Sequence, residues 1–216
     1  MAMAREAPRA AAVALAALAL FTATPARAED HSHHMHGQQQ APDLAAGKVR
    51  VHLGESVLTD QDGRRVRLEA DAMAGRLVVI DFVYTTCTTT CPLQSALFAN
   101  LQHRLGDRIG RDVALVTVTV DPVRDTPPRL KELANRFGAR PGWTFLTGSP
   151  PAVEEVLRAF DVYTPSFASH PPAVLVGDAR SGEWLRYVGF PRAEQVLKSL
   201  EQLQAARGTA AVLSER

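Results

Sequence analysis

Residues 76–106 read RLVVIDFVYTTCTTTCPLQSALFANLQHRLG, and this stretch decides the fold. The run 76–84 is apolar on both faces and rich in β-branched residues, the pattern of a strand buried in the middle of a sheet. Beyond Cys91 and Pro92, apolar residues recur at Leu93, Leu97, Leu101 and Leu105 and stop at Gly106. That spacing predicts a helix, with Pro92 tolerated in its first turn. Cys87 and Cys91, the chain's 2 cysteines, lie where the strand hands over to the helix.

Outward from that unit, strand and helix patterns alternate. VLTDQDGRRVRL (57–68) reads as a hairpin turning at Asp60-Gln61-Asp62-Gly63. DVALVTVTV (112–120) is a second buried strand, and Asp125-Thr126 caps a helix through PPRLKELANRF that Gly138 ends. AVEEVLRAF (152–160) fits a helix, AVLVGD (173–178) and EWLRYVGF (183–190) fit two strands, and AEQVLKSLEQLQ (193–204) fits an amphipathic helix. The expectation is an α/β, thioredoxin-like three-layer sandwich with a central mixed sheet and an N-terminal hairpin.

Lys and Arg (24) nearly balance Asp and Glu (23), so no basic field points to nucleic acid. The N-terminus reads as a secretory signal over residues 1–28: a charged MAMAREAPR, an apolar AAAVALAALALF and a small-x-small Ala26-Arg27-Ala28. An uncleaved signal tethering the protein to the inner membrane is the alternative. Residues 29–48 read as a disordered leader rich in His and Met, residues 49–207 as the folded domain and 208–216 as a tail. Export, with the periplasm as destination, means an oxidising compartment, where a dithiol closes unless a reductant or metal holds it open.

Several chemistries fit the cysteine pair. At a helix start the positive end of the dipole favours thiolate over thiol. Two thiolates are soft donors that suit Cu(I), or Zn with further ligands. An inert disulfide would close so short a loop that it contributes only about 2 kcal/mol. Asp81, six residues before Cys87, stands in an apolar strand. Such a buried carboxyl either manages a thiol proton, as in a thiol–disulfide oxidoreductase, or is held by neighbouring backbone. Thr88 and Cys91 have peroxiredoxin-like T-x-x-C spacing, but Tyr84 replaces the proline expected there.

FVYTTCTTTCP (82–92), VTVDPVRDTPPRLKELANRFG (118–138), GWTFLTGSP (142–150) and a lone histidine ahead of AVLVGD together resemble the Sco/SenC group of thioredoxin-like copper proteins. The resemblance spans about residues 50–205. It implies a copper site of Cys87, Cys91 and His170, and a chaperone that helps to assemble the dinuclear copper centre of cytochrome c oxidase. The partners implied are the copper-bearing oxidase subunit and other copper chaperones. Imidazole suits Cu(II) where two thiolates suffice for Cu(I). His170 departs from the family's surroundings, being followed by Pro171-Pro172, and Pro172 is expected to be a cis-proline facing the cysteines. His52 and His103 read as surface residues. Asp121 is placed by the resemblance near the metal loop, while Asp125 is expected only to start its helix. In the leader, His31, His33, His34, Met35 and His36 form a candidate secondary metal site. Cleavage after Ala28 would add the amine of Glu29, with His31 third, as a square-planar donor set for Cu(II) or Ni(II).

Overall fold

Strands β4 (Leu77–Val83) and β5 (Val113–Thr119) are buried along their whole length and pair in parallel at the centre of an eight-stranded mixed sheet. In the computed structural model, which describes residues 44–214 with side chains to 209, the strand order is β1-β8-β7-β4-β5-β6-β2-β3. β6 (Trp143–Thr147) continues the parallel set beside β5, and β7 (Ala173–Asp178) runs antiparallel to β4. β8 (Glu183–Val188) returns along β7, and β1 (Gly47–Arg50) closes that edge. The expected hairpin, β2 (Val57–Asp60) and β3 (Arg65–Arg67), forms the other edge against β6.

Alternation along β4 and β5 divides the core in two. Val78, Ile80, Phe82, Val116 and Val118 face helix α3 (Pro150–Ala159) and a single π-helical turn, Leu68–Met73. Leu77, Val79, Val83, Val113 and Leu115 face helices α1 (Cys91–Leu105), α2 (Pro127–Arg136) and α4 (Ala193–Ser214). Helices therefore cover both faces, giving the layer sandwich expected.

The structure adds or moves several elements. β1 begins at Gly47, inside the stretch expected to be leader, and Leu44 already offers its carbonyl to Gln195 Nε2 at 2.9 Å. GKVR lacks an apolar alternation because it is an edge strand, held by its backbone against β8. β6 is a short strand rich in the strand-favouring residues Trp, Phe and Thr, standing where no strand was expected. α4 runs past residue 208, where a tail was expected; its Arg207 reaches back to the buried carboxylate of Asp178, with Nε–Oδ2 at 2.7 Å. Pro172 is not a cis-proline, since the described residues contain no cis peptide bond. His170 is extended (φ −67°, ψ 128°), and the two prolines after it lead straight into β7. Among the described residues no helix is long and apolar enough to cross a membrane. Residues 1–28, the cluster at 31–36 and the rest of the leader to residue 43 lie outside the described residues.

Candidate functional site

The carboxyl ends of β4 and β5 open at one end of the sheet, beside the start of β7. Open α/β sheets place their sites at such an end. β4 leads through Tyr84 into the cysteine loop, β5 leads into 121–126, and residues 163–172 deliver His170 to β7.

Cys87 is half-buried in a turn, its N–H bonded to the Tyr84 carbonyl at 3.1 Å; helix α1 starts only at Cys91. The two cysteines therefore converge through a turn, not along one helical face. Cys87 Sγ accepts the backbone N–H of Cys91 at 3.3 Å and lies 3.5 Å from the Thr90 hydroxyl. Both cysteines are free thiols. Burial alone would raise the Cys87 thiol, but hydrogen bonds from Cys91, Thr90 and the backbone of Cys91 and Thr89 outweigh it, bringing the pKa to about 6. Cys91 is buried, and its burial, its bond to Cys87 and that neighbour's charge push it up to about 12. The pair thus consists of a ready thiolate and a reluctant, sheltered thiol. Tyr84 belongs to the same site. Hydrogen bonding to Cys87, then burial and the charge of both sulfurs, raises its phenol pKa.

His170 is half-buried, and its Nδ1 is buried without a hydrogen-bond partner. Burial lowers its pKa, partly offset by the backbone of Phe82, at the end of β4, and of Pro171. A neutral imidazole with a buried, unpartnered nitrogen is the form a metal would require. Among the described residues, however, no three His, Cys, Asp or Glu side chains are grouped closely enough to hold a metal ion. The imidazole and both sulfurs share one end of the sheet without converging. His52 and His103 are exposed, as expected.

Asp81 is wholly buried on the α1 face of β4, and neither carboxylate oxygen has a partner. Its register partner is Thr117, whose hydroxyl accepts the Trp143 indole N–H at 2.9 Å. Burial raises the Asp81 pKa to about 7, with Thr117 and the residue's own backbone offsetting only part of that. Close to the pair, Gln94 Nε2 donates to the Ala173 carbonyl at 3.1 Å, tying α1 to the start of β7.

Asp125 does more than begin α2. Thr126 is the helix N-cap, while the Asp125 carboxylate turns inward, accepting Thr85 N–H at 3.1 Å and the hydroxyls of Thr85 and Thr119 at 2.5 Å. It pins the cysteine loop to the end of β5. Asp121 is buried and accepts Arg124 Nη1 at 3.0 Å. The Arg124 guanidinium lies 5.2 Å from the centre of the Phe167 ring, which meets the Tyr84 ring edge-on at 5.1 Å. Sequence reasoning had no signal for Phe167. Arg124 was visible only as part of a motif.

Comparison with known proteins identifies the family of the chain. The chain is 37% identical over 105 residues to the SCO1 protein homolog of Bacillus subtilis, covering 47% of this chain and 52% of that one. It spans 52%, 34% and 58% of the lengths of the first three curated relatives it matches. A solved structure of Arabidopsis thaliana ScoI with copper bound superposes with a TM-score of 0.58 at 25% identity, over 70% of this chain and 98% of that chain. The structure of BsSco, described as a member of the Sco family of cytochrome c oxidase assembly proteins with a disulfide switch, gives a TM-score of 0.61 at 25% identity, over 77% of this chain and 99% of that one. Residues 48–174, including the cysteine loop, the 121–126 loop and His170, match the SCO1/SenC family pattern, and the chain belongs to that family.

Proposed function

We propose that this protein is a copper chaperone that holds one copper ion between Cys87, Cys91 and His170. It would deliver that ion to the copper-bearing subunit of cytochrome c oxidase. The single observation that carries the reading is the pairing of a stabilised Cys87 thiolate with an unpartnered buried Nδ1 of His170 at the same end of the sheet. Two soft sulfurs hold Cu(I); a neutral imidazole adds the harder donor that Cu(II) needs. Copper is the cargo, so the sheltered Cys91 would give up its proton as the metal enters. Export through an N-terminal signal would carry this chemistry out of the cytoplasm, into the periplasm. His31, His33, His34, Met35 and His36 would serve as a weaker second binding segment.

All four large apolar side chains that are conspicuously exposed among the described residues, Leu93, Val123, Val188 and Phe190, sit on elements at this end. They offer a docking rim around the cysteines. Metal analysis of anaerobically reduced protein tests the reading. Wild type should retain one copper per chain. Cys91→Ser should lose it, and His170→Ala should lose Cu(II) but keep Cu(I). Equal retention by all three would refute the assignment.

A second reading has its own support in the contrast between Cys87 (about 6) and Cys91 (about 12). As a thiol–disulfide oxidoreductase, Cys87 would attack a target disulfide and release one target thiolate. Cys91, after losing its proton, would displace the second and leave a Cys87–Cys91 disulfide. Two electrons pass to the target. Asp81, holding a proton near neutral pH, could manage that transfer. Catalytic turnover of a disulfide substrate that survives His170→Ala would favour this reading.

A further inference from the structure

Helix α2 presents a charged face beside the cysteine loop. Arg129, Glu132, Leu133 and Arg136 recur at the spacing of one helical face, and with Thr85 and Thr86 they line a cleft of about 280 Å³. Thr85 is held in place there, its N–H donating to the Asp125 carboxylate at 3.1 Å just ahead of α2. Thr86 is exposed and directly precedes Cys87, so the cleft ends one Cα step, about 3.8 Å, from the reactive residue. Other cations of this region are already neutralised: Lys131 by Asp62 at 2.6 Å and Arg124 by Asp121 at 3.0 Å. Arg129 and Arg136 are exposed and have neither an ion-pair nor a hydrogen-bond partner among the described residues. Glu132 stands between them on the same face and bonds to neither.

We propose that Arg129 and Arg136 recognise an acidic segment flanking the cysteines of the protein that Cys87 meets. The inference deepens the functional reading and rests on one part of it, Cys87 acting as a thiolate on a partner, which copper delivery and disulfide exchange share. A guanidinium offers a planar fork of donors that matches a carboxylate, and an unpaired one gains most from meeting it. Seven positions of helix set the two arginines about 10 Å apart along α2, the span of about three residues of extended chain. Two carboxylates of one acidic stretch can therefore engage both, with the side chain of Leu133 as the apolar wall between. Glu132 opposes that attraction. Two cations against one anion leave a net charge of one, which steers an acidic partner in and still lets it leave.

The test follows the reduced full chain as Cys87 attacks two disulfide-bridged peptides that differ only in carrying Asp or Asn around their cysteine. The Cys87 thiolate bonds to one peptide sulfur and the other leaves as a thiolate. Cys91, losing its proton, then displaces the bound peptide and closes the Cys87–Cys91 disulfide, so two electrons pass to the peptide. Acid quenching, alkylation and mass analysis give the rate at which the Cys87 thiol is lost. Each rate is taken relative to that of the same peptide with the neutral thiol 2-mercaptoethanol, which removes differences intrinsic to the peptides. At low salt the Asp peptide should react about fivefold faster than the Asn peptide, and the ratio should fall toward one in about 0.5 M NaCl. Arg129→Gln combined with Arg136→Gln should abolish the preference while leaving the Asn rate within about twofold, and Glu132→Gln should raise the preference about twofold. A preference that is absent in wild type, survives in the double variant or falls in Glu132→Gln would overturn the cleft alone. Attack on neither peptide would overturn the thiolate reading and the cleft with it. Thermal melting identifies any variant that fails to fold; the single substitutions then carry the comparison, and an unchanged ratio in both arginine variants contradicts the proposal.

Discussion

Replacing Asp81 by Asn should make the protein more stable near pH 8 and bring little gain near pH 4. Burial lifts the carboxyl from 3.8 in the unfolded chain to about 7 in the fold, where both oxygens lack partners. The native state therefore keeps a proton that the unfolded state gives up. Its contribution is most favourable below 3.8 and is lost as pH rises through about 7. Carried through the linkage relation, ionisation burdens the fold by about 0.5 kcal/mol at pH 4, about 2 at pH 5.5 and about 4 at pH 8. Asn has the shape of the protonated acid but does not titrate. The check is urea denaturation of reduced wild type and Asp81→Asn at each pH, because the other titrating groups largely cancel in the difference. Between pH 5.5 and 8 the difference should move by about 2 kcal/mol in favour of the variant. A difference that does not change with pH would refute the claim that burial, only partly offset by Thr117 and the backbone, lifts the Asp81 carboxyl.

Other outcomes follow from the same site. Iodoacetamide should alkylate Cys87 with a pH midpoint of about 6, since its lowered pKa keeps it ionised above that value, while Cys91 in the folded protein stays unmodified at neutral pH; peptide mass mapping distinguishes the two. Asp125→Ala strips the Thr85 and Thr119 donors of their acceptor and should cost about 3 kcal/mol in denaturant melts, loosening the cysteine loop as well. Leu93→Glu and Phe190→Glu, both exposed in the domain, should leave its melting temperature and copper affinity unchanged and slow copper transfer to a soluble oxidase copper-subunit domain, followed by absorption.

Much of the fold could be read from local pattern because its centre is strongly patterned. β4 and β5 are continuous apolar runs, and α1, α2 and α3 carry helical spacing with proline at their starts. β1 escaped because GKVR is an edge strand held by its neighbour's backbone and not by its own pattern, whereas the strand-favouring WTFLT of β6 is legible but short. The cysteines and His170 were legible as chemistry. Their support was not: Asp125 reaches Thr85 across 40 positions, and Phe167 meets Tyr84 and Arg124 only once three loops gather at one end of the sheet. The trans Pro172 shows the same limit, since isomer state depends on how the segment enters β7 and not on the residue type.

The most direct test of the account is X-ray absorption at the copper edge of Cu(II)-loaded protein lacking the leader histidines, with and without His170. The account predicts two sulfur ligands and imidazole nitrogen in the parent, and in His170→Ala little bound Cu(II), with no imidazole signature in what remains. An unchanged imidazole signature in His170→Ala, or a parent site without two sulfurs, would contradict it.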